Sequence, residues 1–228
     1  MKKKTVYLLR HAEPIHLFRE KYYLGQSDLP LSPKGKQQAQ LLSDFFSTIK
    51  FSAIFSSDLQ RAVQTALPIA QKHRCSLRII KELREINLGR WEGLRRAEVK
   101  ALYPGEFELR GLNLASYRPP EGESLADLQK RVVPVYREIV DNCDGDIVIV
   151  SHAGVNRVIL CNLLGIPLDM LFTIKQEYAC VNVINYLDKK GSNFQYEYLQ
   201  QPFKGSDRRQ ESCHGDFHDQ GYPSKAKD

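Results

Sequence analysis

Two short apolar runs far apart in the chain, Val6-Tyr7-Leu8-Leu9 and Ile147-Val148-Ile149-Val150, constrain the fold more than any other feature. A run of this length, rich in β-branched residues and lacking polar alternation, reads as a strand buried on both faces, which is the habit of parallel sheets covered by helices on either side. Each run ends in a polar residue and then a histidine, Arg10-His11 in the first case and Ser151-His152 in the second. Open α/β sheets gather their ligands at the carboxyl ends of such strands, so the two imidazoles are expected to meet at one site.

The rest of the chain alternates strand and helix patterns, as βαβ units do. Ala53-Ile54-Phe55-Ser56 reads as a third strand, followed by Ser57 to Arg61 opening a helix along the same sheet edge. Ser32-Pro33 supplies an N-cap and a first-turn proline for a helix bearing Ala39, Leu42, Phe46 and Ile49. A second helix is predicted from Leu59 to Gln71, with Pro68 expected to kink or shorten it. Ser124 and Asp127 form a capping box ahead of a long helix through Leu125, Leu128, Val132, Val135 and Ile139, in which Pro134 predicts a bend. Ala153-Gly154 opens a further helix whose N-terminal amides are expected to face the site and help hold an anion. Cys180 to Leu187 and Phe194 to Leu199 read as strands of a hairpin, turning near Lys189 to Ser192.

At 228 residues the chain is long enough for one α/β domain, placed at residues 1–203, and residues 204–228 read as a polar C-terminal tail with few aliphatics to bury. No segment approaches the roughly 18 apolar residues of a membrane span. Met1-Lys2-Lys3-Lys4 is like a signal-peptide n-region, but Arg10-His11 interrupts the apolar stretch and no cleavage site follows. Five cysteines (Cys75, Cys143, Cys161, Cys180 and Cys213) without a C-x-x-C pair argue against a disulfide framework or a structural zinc site, and a reducing cytoplasm is expected. Cys213, His214 and His218 in the tail match no closed metal site. The net charge of +6 is scattered among acids, which gives no stripe for nucleic acid; it favours an anionic small molecule instead.

Arg10 and Arg61 supply fixed cations beside the imidazoles, and guanidinium forks match phosphate oxygens two at a time. Phosphate is therefore the expected ligand group. A neutral histidine can attack phosphorus directly, the resulting P–N bond being labile to water, and His11 is the expected nucleophile. His152, Arg10 and Arg61 then hold the phosphoryl oxygens, and no metal or cofactor is required. The leaving alkoxide needs a proton. Glu85, in the glycine- and tryptophan-containing stretch Leu83 to Gly93 after the predicted strand Leu77 to Ile80, is the best-placed acid, although spacing leaves Glu82, Glu92 and Glu13 open.

Leu9-Arg10-His11-Ala12-Glu13, Ser56 to Ala66, Leu83 to Gly93 and Val150-Ser151-His152-Ala153-Gly154 together resemble the ordered motifs of the histidine phosphatase superfamily, in its phosphoglycerate-mutase-like branch, from about Thr5 to Leu199. The resemblance implies a three-layer α/β/α sandwich around a mostly parallel sheet and no cofactor. It also implies a phosphorylated His11, a phosphate pocket of Arg10, Arg61 and His152, and a proton donor in Glu85. Gly25 to Ser32 is similar to the loop that follows the first motif, which brings Gln26 to the substrate. Three departures stand out. Ala12 replaces the usual glycine and is harmless only at negative φ. Leu17 stands where many members carry asparagine, and Tyr22 lies near a common arginine, so that side of the pocket is expected to be less polar.

Gly89 to Gly93 and Pro119 to Ser124 resemble phosphatase members, and the short stretch between them favours hydrolysis over phosphoglycerate mutase action. Within phosphatases the pattern is most similar to α-ribazole phosphatases of cobalamin assembly. Tyr103, Phe107, Arg110, Tyr117 and Arg118 fall where they could cap the pocket, the aromatics stacking on a nucleoside-like substrate, although each also fits an ordinary core or surface role. The alternative of another class is a catalytically silent phospho-binding regulator, which needs the cations but not the acid.

Overall fold

The computed structural model describes residues 4–16, 18, 20–187 and 194–200. Leu17, the turn of the predicted hairpin and the tail with Cys213, His214 and His218 lie outside the described residues. The elements run β1 (Lys4–Arg10), α1 (Pro33–Phe45), β2 (Ala53–Ser56), α2 (Gln60–Lys72), β3 (Leu77–Ile79), α3 (Arg96–Leu102), α4 (Glu106–Leu112), α5 (Leu125–Asp141), β4 (Ile147–Ser151), α6 (Ala153–Leu164), β5 (Val181–Tyr186) and β6 (Phe194–Leu199). The strands form one sheet in the order β3-β2-β4-β1-β5-β6. β3, β2, β4 and β1 are parallel neighbours, and β5 runs against both β1 and β6.

Side-chain alternation along the buried strands divides the core into the two faces of a three-layer sandwich. Val6, Leu8, Phe55, Ile147 and Ile149 point into one cluster with Leu128 and Val132 of α5 and Val155 and Val158 of α6. Leu9, Ile54, Val148 and Val150 point into the other, with Ala39 and Leu42 of α1 and Ala62, Ala66 and Ile69 of α2. All five residues of β4 are buried, which is why that run carries no polar residue until Ser151.

The predicted caps are present. The Ser32 side chain accepts from the Gly35 amide, and Ser124 and Asp127 close a capping box on α5. α2 continues through Pro68 and is not shortened there, and α5 continues through Pro134. A proline costs a helix interior roughly 3 kcal/mol, and the buried faces of these helices, Ala62, Ala66 and Ile69 in α2 and Leu128, Val132 and Ile139 in α5, outweigh it. No helix among the described residues is long and apolar enough to cross a membrane.

A third, smaller cluster lies under α3 and α4, where Trp91 is fully buried among Leu88, Val99 and Tyr117. Tyr23, Tyr117 and Tyr103 ring it at centroid distances of 5.2, 5.4 and 6.5 Å, and Phe107 packs against the same group. The aromatics considered for stacking on a substrate are thus the core of their own layer. Arg118 pairs with Asp127 at 2.7 Å and Tyr117 donates to Glu106 at 2.6 Å.

Candidate active site

Sheet register builds the site. Arg10 of β1 stands opposite Ser151 of β4, and the His11 amide donates to the Ser151 carbonyl at 2.9 Å, so the next residues, His11 and His152, fall side by side with ring centroids 5.1 Å apart. On the other flank of β4 the Ser57 amide donates to Val150 at 3.0 Å, which starts α2 at the same sheet end and brings Arg61 in from its first turn. Thr65 fastens the two pieces by accepting from the Ala12 amide at 2.9 Å and donating to the Arg61 carbonyl at 2.7 Å. Ala12 is fully buried and absent from the positive-φ residues, so its methyl group is accommodated without backbone strain.

His11 is held in a definite state. Its Nδ1 lies 2.7 Å from the Ala12 carbonyl oxygen, which can only accept, so Nδ1 bears the proton and Nε2 keeps its lone pair. Burial, and then the Arg61 and Arg10 charges, push its pKa well below the usual 6.5. The same causes, with burial again the largest, lower the pKa of His152. Both rings are therefore neutral near pH 7.

Arg61 is almost wholly buried and donates to the Ser27 and Gly25 carbonyls, both at 2.6 Å. Burial lowers its pKa, while nearby carboxylates, Glu85 foremost, oppose that, and a guanidinium starts so high that it stays cationic. The loop that grips it is itself gripped by Glu92, whose carboxylate accepts from the amides of Gly25, Gln26 and Ser27 at 2.9 to 3.1 Å. Arg10 donates to the Gln176 carbonyl at 2.5 Å and lies under the Tyr178 ring. The Nε atoms of Arg10 and Arg61 and both ring nitrogens of His152 are buried without a partner in the protein. An unbonded buried polar group costs about 1–3 kcal/mol, and a cluster of them at one strand end fits a ligand rich in acceptor oxygens.

The carboxylates now separate. Glu85 is buried, its Oε2 accepting from the Gly154 amide at 3.0 Å and its Oε1 from the Ile86 amide at 2.9 Å, which seats it at the start of the helix that follows His152. Glu92 is spent on the loop, Glu13 on Ser32 and Lys34, and Glu82 is exposed. Of the α6 N-terminal amides expected to face the site, that of Gly154 is bound to the protein's own Glu85 carboxylate. Gln26, expected at the substrate, lies next to the acid, its side-chain amide donating to the Glu85 backbone carbonyl at 2.9 Å. Tyr22 forms an isolated bridge with Arg95 and packs edge-on against Phe18.

Sequence reasoning missed Thr65, Gln176 and Tyr178, and left Glu92 open as an alternative to Glu85. Their roles arise from contacts across tens to more than a hundred residues, and no spacing within the sequence signals them. Among the described residues no group of three or more His, Cys, Asp or Glu side chains is arranged to hold a metal ion.

Comparison with known proteins agrees with this geometry. The histidine phosphatase superfamily (branch 1) matches residues 6–197. Phosphoserine phosphatase 1 of Hydrogenobacter thermophilus is 34% identical, over 80% of this chain and 87% of its own. The mycobacterial glucosyl-3-phosphoglycerate phosphatase structure superposes with a TM-score of 0.74 at 26% identity, covering 86% of this chain and 97% of that one. A putative α-ribazole-5′-P phosphatase from Escherichia coli reaches a TM-score of 0.79 over 90% of this chain and 99% of its own, but at 23% identity the likeness is one of fold. Two strand-end histidines, two arginines whose Nε atoms are buried beside them and a matching motif order place this chain in the histidine phosphatase superfamily, branch 1.

Proposed function

We propose that this protein is a phosphomonoesterase that works through a phosphohistidine at His11 and acts on a small phosphorylated metabolite. The observation that carries the reading is the state of His11, neutral, with Nδ1 bound to the Ala12 carbonyl and Nε2 free beside two guanidinium groups. Nε2 attacks phosphorus and the ester oxygen leaves, taking a proton from Glu85. Water then attacks the phosphohistidine, Glu85 recovers a proton from it, and inorganic phosphate departs. Arg10, Arg61 and one N–H of His152 bind the equatorial oxygens, where charge is held through both transfers. These residues supply charge and proton transfer by themselves, so the reaction is proposed to need no metal.

The relatives' names cover phosphoserine and glucosyl-3-phosphoglycerate, and their shared part is the phosphate ester. α-Ribazole 5′-phosphate remains one candidate substrate, but it loses the support of stacking aromatics, since Tyr103, Phe107 and Tyr117 pack around Trp91. A silent phosphate binder would have no use for a buried carboxylate seated beside His152, and Glu85 favours the enzyme.

The test is release of nitrophenol from p-nitrophenyl phosphate in the presence of EDTA, together with a screen of phosphoserine, glucosyl-3-phosphoglycerate and α-ribazole 5′-phosphate. Turnover that survives the chelator and disappears in His11→Ala supports the reading. Loss of activity on chelation, or an active His11→Ala, refutes it.

A further inference from the structure

The segment just before β5 touches the site in a way that neither the motif order nor the proposed chemistry uses. Tyr178 lays its ring over Arg10, with the guanidinium carbon 3.9 Å from the ring centroid, and the same ring stands 5.6 Å from that of His11 and 6.1 Å from that of His16. The preceding Gln176 carbonyl binds Arg10 Nη1, so the guanidinium is held at one edge by a carbonyl and on one face by a π-system. Behind it, Gln176 is itself fixed by side-chain bonds to Asn156 at 2.9 Å and Asn182 at 2.8 Å, all three residues being buried.

The backbone next to the ring is strained. Ala179 has φ of +58°, a left-handed conformation that costs a residue with a Cβ about 1 kcal/mol or more. It is fully buried, its amide donates to the His11 carbonyl at 3.2 Å, and the Cys180 carbonyl accepts from the Arg10 amide at 3.2 Å. The left-handed step thus lets residues 176–180 bond to residues 10 and 11 while Tyr178 covers the Arg10 side chain. Strain kept in a fully packed place beside reactive groups is the pattern expected where geometry serves a site.

We propose that Tyr178 is a positioning residue, its ring fixing the Arg10 guanidinium for phosphoryl oxygens by a cation–π contact. The role deepens the phosphatase reading, on which it rests, and assigns the work to the ring face. Its negative π-surface attracts the cation most strongly where water is excluded.

The probe is inorganic phosphate, whose dissociation constant is measured by calorimetry on the full-length protein, with p-nitrophenyl phosphate turnover measured alongside. Tyr178→Leu is expected to weaken phosphate binding about 10-fold, and Tyr178→Phe, which restores the ring, to recover most of that loss. Phenylalanines with one, two and three ring fluorines at position 178 keep the shape while draining the π-face, and affinity should fall stepwise with each fluorine. In an Arg10→Met background the same series should be flat. Equal affinity across the fluorine series in the Arg10 protein, or the same graded loss with and without Arg10, overturns the proposal, and this series stays decisive if the leucine variant does not fold. Graded affinity in a protein that releases no nitrophenol would overturn the hydrolase reading and leave the role of Tyr178 standing.

Discussion

A histidine that attacks phosphorus must be neutral, and His11 and His152 are kept so by burial and by the arginines around them. The sign of the resulting pH dependence follows. Because the folded pKa of each lies below the ordinary 6.5, the unfolded chain binds more protons as pH falls, and the stability present above 6.5 is lost on descending toward the folded values. Each ring should then cost about 1 kcal/mol of stability between pH 7.5 and 5.5. Denaturant unfolding in phosphate-free buffer checks this, with a shallower loss expected in His152→Asn than in the parent protein; identical slopes would contradict the buried-neutral assignment. At this scale Arg10, His11 and His152 stood out in the sequence because polar residues at the ends of apolar strands have no packing reason to be there, while Arg61 and Glu85 stood out from the stretches that follow the next strands. Spacing favoured Glu85 but left Glu92 open beside it, since the fate of Glu92 depends on amides about 65 residues away.

Helix α6 links the phosphate pocket to the acid through one glycine. A Cβ on Gly154 would lie 2.4 Å from Glu85 Oε1 and 3.2 Å from its Cδ, so an alanine there must displace the carboxylate. Alanine is a better helix former than glycine, so a loss of activity in Gly154→Ala cannot be laid to a weakened helix. The expected outcome is a fall of about 10-fold or more in kcat on alkyl phosphates, whose leaving group needs the proton, with aryl phosphates slowed much less. Equal slowing of both classes would reject Glu85 as the proton donor. The elements themselves were legible from period and caps, notably Ser32-Pro33 and Ser124 to Asp127, which act locally. That α2 would run its full length past Pro68 was not legible, because the compensating burial of its Ala62, Ala66 and Ile69 face is tertiary. The same limit hid the purpose of the Trp91 cluster, whose aromatics read equally well as lid or core.

Across the whole molecule, the site exists because β1 and β4 are adjacent and parallel although about 140 residues separate them in the chain. That adjacency aligns Arg10 with Ser151 and so sets His11 beside His152, while β2 on the far side of β4 delivers Arg61. Two buried apolar runs with polar ends were enough to suggest a parallel sheet and a shared ligand end; the strand order itself, and the antiparallel β5 that carries the chain past Tyr178, needed the structure. The central claim is that this assembly turns one imidazole into a transient phosphoryl carrier. Rapid acid-free quenching of the protein with a ³²P-labelled phosphoester, followed by peptide mapping, tests it most directly. Alkali-stable, acid-labile label on His11, enriched in Glu85→Gln if that variant slows hydrolysis of the intermediate, is the predicted result; steady turnover with no label on His11 would contradict it.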